Sequence, residues 1–289
     1  MVKPTSPPLI IREPASLYSH PARRTQPMTI LEPYIPKEYL ALKINYCKQR
    51  LAELPEVVVT QRSVRGVKKT VLVNNSHIYS FETKIGQELF ACFKMREQLL
   101  SDLTKYEGLW YSTYRSVPPE DLKPAQKIRK IYLSDSESAV MNSKFFESLK
   151  HDSNPFYPEH KTCFYNGTYY RSAAEADIAR FYTEQNIPFK YEPEIWLRGL
   201  NRPIYTDFVI LIKELNQCKF HEHFGIKYSV DYTRKTATTY NNYSGAGLLP
   251  GLDLLCTYDT PDVPFDIRSL HTKLNTVIYN SLFALDANS

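Results

Sequence analysis

Glycine is scarce, nine residues in 289, and neither GxGxxG nor GxxxxGK[ST] occurs, which excludes the two common loops that cradle nucleotide phosphates. Cysteine is also sparse. Cys47, Cys92, Cys163, Cys218 and Cys256 are odd in number, scattered and without a CxxC pair, arguing against a disulfide framework and a four-cysteine zinc site. No run approaches the roughly 18 apolar residues of a membrane span, and residues 1–15 lack the apolar middle of a signal peptide, so the expectation is a soluble, cytoplasmic protein without a membrane partner. What is present is enough for a core, since 43% of the residues are hydrophobic and 22 are tyrosine. A net charge of +5 with a pI near 8.7 permits nucleic acid as a partner without requiring it.

Residues 1–36 hold eight of the 20 prolines, a density that forbids continuous helix or sheet pairing and reads as an extended arm, either solvated or docked on a protein partner. Helical spacing over 37–54 predicts an amphipathic helix closed by Pro55. The run VVVTQRSVRGVKKTVLV (57–73) predicts a hairpin around Arg65-Gly66, and a second helix follows over about 86–106. This helix, hairpin and helix make a small α+β module over 37–115. Its turn carries Arg62, Arg65, Lys68 and Lys69, candidates for contacts to nucleic-acid phosphates or simply a solvated charged turn. Residues 116–163 read as a linker with short helices, and 164–289 as the main domain.

In that last part Ser172 predicts the start of a helix over 171–187, followed by strands at 189–197, 204–212 and 218–225. A helix over 230–243, a strand over 252–258 and a helix over 265–285 complete the order. Apolar strands such as FVILI need cover on both faces, so an α/β domain with a mixed central sheet flanked by helices is expected.

Two carboxylates are out of place in this pattern. Asp207 opens an apolar strand and Glu222 sits within an aromatic-rich one, where each loses hydration unless a cation or hydrogen bonds replace it. Glu175 lies three residues after Ser172, either as the second half of a capping box or as a third acid facing the strand ends. Hard oxygen ligands of this kind suit Mg²⁺ or Mn²⁺, with water as nucleophile and a phosphodiester as substrate. The duller alternatives are a solvent-facing Asp207 and a Glu222 paired with Arg202 or Lys219. Cys218-x-x-His221-x-His223 invites zinc, but strand alternation puts Cys218 on the face opposite both histidines. His223 is a candidate general base or substrate contact. Tyr232, Tyr240 and Tyr243 either stack on bases or pack internally.

The order helix Glu175, strand Asp207, next-strand Glu222, carried by YRSAAEADIA, IPFKYEPEIWL, IYTDFVIL, HEHFG and GLLPGLDLLCTYD, resembles the PD-(D/E)XK nuclease superfamily of restriction-endonuclease-like fold. Within it, the chain is similar to little-characterised bacterial and phage members. The resemblance implies that Asp207 and Glu222 hold the metal, that Glu175 assists, and that a lysine stabilises developing charge. Two positions depart from the pattern. Thr206 replaces the proline before the aspartate, and Phe224 stands where the strand lysine belongs. In the resembling proteins the lysine moves to the following helix, which makes Lys235 the candidate, with Arg234 or Lys227 behind it; Thr239 supplies none.

The expected activity is a Mg²⁺-dependent DNA endonuclease, in a setting such as phage DNA processing, host defence or transposition, and a homodimer would let two sites cut both strands. The alternative is a nuclease-fold adaptor that has lost its cation and joins a larger nucleoprotein assembly.

Overall fold

The computed structural model describes residues 35–64, 66–120, 129–225 and 230–286. The arm up to residue 34, Arg65 and Lys227 therefore lie outside the described residues, as does the side chain of Tyr232.

Pro36 supplies the carbonyl that accepts the first helical bond, from the Leu40 amide at 2.9 Å, and helix α1 runs Lys37–Glu53. Leu54 is already extended, as the residue before Pro55 prefers. Strands β1 (Val58–Val64) and β2 (Val67–Asn74) pair antiparallel from Val58↔Val73 to Val64↔Val67, as the predicted hairpin requires. Gly66, at φ +79°, takes the left-handed position there. A third strand, β3 (His77–Tyr79), joins this sheet. Helix α2 (Lys84–Tyr114) is longer than the sequence suggested and starts at a Thr83 cap. Leu40, Ile44 and Cys47 of α1 bury against Leu99, Tyr106 and Trp110 of α2.

The stretch read as a linker contains more structure than its weak periodicity indicates. It holds the hairpin β4 (Lys130–Tyr132) and β5 (Ser138–Val140), helix α3 (Ser143–Ser148) and a single 3₁₀ turn at Pro158–His160. Ile131, Met141, Phe145, Phe146 and Leu149 from it are core residues. Short apolar clusters between polar residues carry no recognisable period, so tertiary packing decides their fate.

Next come β6 (Cys163–Tyr165), β7 (Thr168–Tyr170), α4 (Ala173–Glu184), β8 (Phe189–Tyr191), β9 (Glu194–Ile195), β10 (Ile204–Tyr205), β11 (Phe208–Ile212), β12 (Gln217–Gly225), α5 (Val230–Gly245), β13 (Leu254–Asp259) and α6 (Ile267–Asp286). The central sheet has the order β13-β12-β11-β8. β11 is antiparallel to both β8 and β12, while β12 and β13 are parallel. The sheet is thus mixed, and the chain is of the α/β kind. Phe208, Ile210, Ile212 and Leu255 face α4 and α6; Val209, Cys218, Phe220 and Leu254 face α3 and α5.

Two predicted strands break in the middle. The 189–197 run divides at Glu192-Pro193, where Glu192 adopts φ +39°, and the 204–212 run divides at Thr206-Asp207. The breaks touch, because the Glu192 amide donates to the Asp207 carbonyl at 3.1 Å. Ile35–Ser289 forms one compact unit, and Tyr39 and Leu42 of α1 lie in the same core as α4 and α6. The sequence boundaries at 115 and 163 run through that unit.

Candidate functional site

The break before β11 lets the chain turn the Asp207 carboxylate across the sheet. Its Oδ2 accepts the His223 amide of β12 at 2.6 Å, one step past the last ladder pair, Phe208↔His221. Strand alternation places Glu222 with Phe220 and Phe224 on the α5 side, and there the Tyr243 hydroxyl donates to its Oε1. Glu175 sits in the first turn of α4. The Ser172 hydroxyl accepts its amide at 3.1 Å, while Glu175 Oε2 accepts the Arg171 amide (3.1 Å) and the Tyr191 hydroxyl (2.7 Å). The capping box therefore exists, with its return bond one residue earlier than usual. Capping and site roles are compatible, since only one oxygen is engaged by these bonds.

These acids feel one another. Burial pushes Asp207 well above the usual carboxylate range, and the charges of Glu222 and Glu175 add to it. Glu222 is raised to about 7, chiefly by burial, against the bonds from Tyr243 and the charge of Lys235. Glu175 is raised too, by burial and then by its neighbour Glu192. Thr206 Oγ1 is fully buried and without a hydrogen bond, close enough to bear on the acidity of Glu222 and Tyr243 but outside hydrogen-bonding geometry with either. Among the described residues, no three His, Cys, Asp or Glu side chains form a ready-made metal cage.

Glu192 was not singled out by sequence, although the reasoning applied to Glu222, an acid between apolar strand residues, applies to it equally. It is 3% exposed. Its carboxylate is clamped by Lys161 (2.9 Å), Arg171 Nε (2.6 Å) and Asn154 (2.8 Å). Since its cations are already supplied, it differs from Asp207 and Glu222, which have no ion pair among the described residues.

The remaining predicted residues separate clearly. Lys235 is exposed on α5, and its charge lowers the Glu222 pKa, whereas neither Arg202 nor Lys219 pairs with Glu222. Lys219 is fully buried, bonded to Gln217 at 3.0 Å and 4.0 Å from Asp253. Arg234 is exposed beside Lys235. The His223 ring lies on the far side of the sheet, bonded to Thr257 at 2.9 Å and edge-on to Phe265, with burial lowering its pKa to about 4. Its amide, not its imidazole, reaches the acids. His221 is buried between Tyr182 and Thr257, opposite the core that takes Cys218, so this triplet does not converge on one point. Tyr240 stacks on Phe224 and bonds Tyr258 at 2.5 Å, an internal role. Arg62, Lys68 and Lys69 are exposed on the separate β1-β2-β3 sheet, with Arg62 directly opposite Lys69.

Tyr243→Phe is expected to destabilise the fold by about 0.5–1.5 kcal/mol, because the buried Tyr243 hydroxyl and its bond to the half-buried Glu222 are lost. Chemical denaturation with an unchanged m-value is the check; an unaltered midpoint would mean that the bond contributes nothing. No protein family, curated protein or solved structure matches this chain.

Proposed function

We propose that this protein is a metal-dependent phosphodiesterase of restriction-endonuclease-like fold that hydrolyses DNA. The observation that carries the reading is the charge deficit at the end of the central sheet: Asp207, held by the His223 amide, and Glu222, held by Tyr243, have no ion pair among the described residues, and burial and neighbouring acids drive both toward protonation. A divalent cation relieves that deficit. Mg²⁺ is held by one or two carboxylates with water and substrate phosphate completing its shell, so a pair of acids without a third preformed ligand is a donor set that fits it. The buried, unpartnered Thr206 hydroxyl is a further oxygen at that point.

Asp207 and Glu222 would hold the ion, which when bound supplies an activated water and neutralises phosphate charge. Tyr243 fixes Glu222, and the His223 amide fixes Asp207. Glu175, oriented by Tyr191 and the Arg171 amide, positions water through its other oxygen. Lys235, two helical turns before Tyr243, offers its ammonium group to the phosphate. Replacement of the strand lysine by Phe224 favours one second reading, an adaptor that binds nucleic acid without cutting it and contacts protein partners through the proline-rich arm.

Incubating the protein with circular single- and double-stranded DNA and Mg²⁺ or Mn²⁺ tests the reading. Cleavage is expected, slowed about 100-fold or more in Lys235→Ala. Absence of both cleavage and metal binding in the unaltered protein would leave the adaptor.

A further inference from the structure

Beside the acids lies a group of aromatic side chains that the fold exposes and holds in place. Phe156 and Tyr157 are 58% and 63% exposed, and Trp196 is 50% exposed. Phe156 meets the ring of Tyr205 edge-on at 5.9 Å. Tyr205 and Trp196 both donate to Glu194, each at 3.3 Å, so Phe156, Tyr205 and Trp196 form a continuous patch. Tyr205 is only two residues from Asp207.

The patch is anchored to the acid cluster by charge. Arg171, whose amide bonds Glu175, sends its guanidinium to the carbonyls of Phe156 (2.6 Å) and Tyr157 (3.0 Å) and to Glu192. Lys161 closes the other end of the loop by pairing with Asp152 and Glu192. Tyr157 adopts φ +52°, a left-handed conformation that a bulky residue avoids unless its surroundings impose it. Here the half-buried Arg171, bonded to the carbonyls of Phe156 and Tyr157, holds it, and the result is a tyrosine ring presented to solvent and stacked on His160 at 5.3 Å. A loop needing only solubility would gain nothing from two exposed rings fixed this way.

Resting on the phosphodiesterase reading above, we propose that Phe156, Tyr157 and Trp196 are a stacking platform for unpaired bases of the DNA substrate, next to the phosphate engaged at Asp207 and Glu222. Flat exposed rings accept any base by stacking and cannot reach the bases of an intact duplex, so the platform selects DNA whose nucleotides beside the cut are single-stranded. Arg202, exposed in the turn between β9 and β10, is placed to meet the accompanying backbone phosphates.

The test is fluorescence anisotropy with the full chain in Ca²⁺ and no Mg²⁺, using a labelled thymidine oligonucleotide, a perfect duplex and a duplex with a single-stranded gap. The unaltered protein is expected to prefer the first and third probes. Phe156→Ala with Tyr157→Ala should weaken binding of those two roughly tenfold or more, and Trp196→Ala should act in the same direction. Duplex affinity should stay within twofold. Phe156→Tyr with Tyr157→Phe, which keeps both rings, should restore binding, and circular dichroism confirms that each variant is folded. Equal loss on all three probes, or no loss on any, overturns the platform. If the protein cleaves perfect duplex in Mg²⁺ while the alanine variants bind every probe normally, the stacking inference fails and the phosphodiesterase reading stands. If no probe binds and no DNA is cut, both fail together.

Discussion

Asp207→Asn is expected to abolish metal-dependent cleavage, by about 1000-fold or more, while raising the melting temperature of the metal-free protein. The two effects come from the same crowding. Asp207 is disfavoured as an anion by burial and by Glu222 and Glu175, so an amide of equal shape removes repulsion. Asparagine also keeps an oxygen for the His223 amide, which Asp207 accepts at 2.6 Å. What it loses is a charged ligand, worth several kcal/mol when charge builds on a transferring phosphate. Asp207→Ala, by contrast, leaves the His223 amide unpaired and should lower the midpoint. Cleavage and differential scanning calorimetry on both variants decide the matter. An asparagine variant that cuts DNA at the normal rate would show that Asp207 is merely a strand-end acceptor; one that loses activity and also melts lower would show that the carboxylate stabilises the fold.

Without metal, stability should fall as pH rises from about 6.5 to 8, and Mg²⁺ should remove that fall. A carboxylate whose folded pKa exceeds its unfolded one binds more protons in the folded state, so stability is fully present below the unfolded value and is lost as pH climbs through the folded value. For Glu222 that window runs from the usual carboxylate range to about 7, and Asp207, raised well above that range, acts in the same sense. His221 and His223, both lowered by burial, work in the opposite sense, adding stability as pH rises toward about 6.5, and Lys219, lowered by burial to about 8, offsets part of the loss at the upper end of the interval. Glu222 alone contributes about 1 kcal/mol of loss over that upper interval. At 100 times its dissociation constant Mg²⁺ adds about 3 kcal/mol, and more at pH 8 than at pH 6.5, because it competes with protons. Urea midpoints at the two pH values with and without Mg²⁺ measure this. Identical shifts by Mg²⁺ at both would mean that the ion binds elsewhere.

How much of this was legible in the sequence depended on the signal each part carries. FVILI and CKFHEHFG announce buried strands, and Ser172 with Pro188 brackets α4, so the sheet and its covering helices follow from local pattern. Asp207 and Glu222 stood out because they interrupt apolar strands. Glu192 interrupts the run read as the 189–197 strand as well, but the cations that neutralise it, Lys161 and Arg171, come from other parts of the chain, so no local pattern marks it as a clamped acid. The 129–149 segment stayed hidden because its core residues are spaced by neither two nor 3.6. The faces of β12 were predictable from alternation, yet that His223 acts on Asp207 through its amide follows only from the break before β11, which no side-chain pattern encodes.

Lys43 of α1 pairs with Glu214 at 2.8 Å, with Tyr39 donating to the same carboxylate, and the lysine and glutamate are 171 residues apart in the chain. During synthesis α1 leaves the ribosome long before its counter-charge exists. At roughly 5–20 residues per second, it waits on the order of ten seconds or more with Tyr39 and Leu42 uncovered. α1 and α2 can zip together in that time, but the face that belongs to the α4 and α6 core cannot be buried. The N-terminal helix is thus made first and finished late, and a nascent chain stalled before Glu214 presents a sticky surface for chaperones to hold.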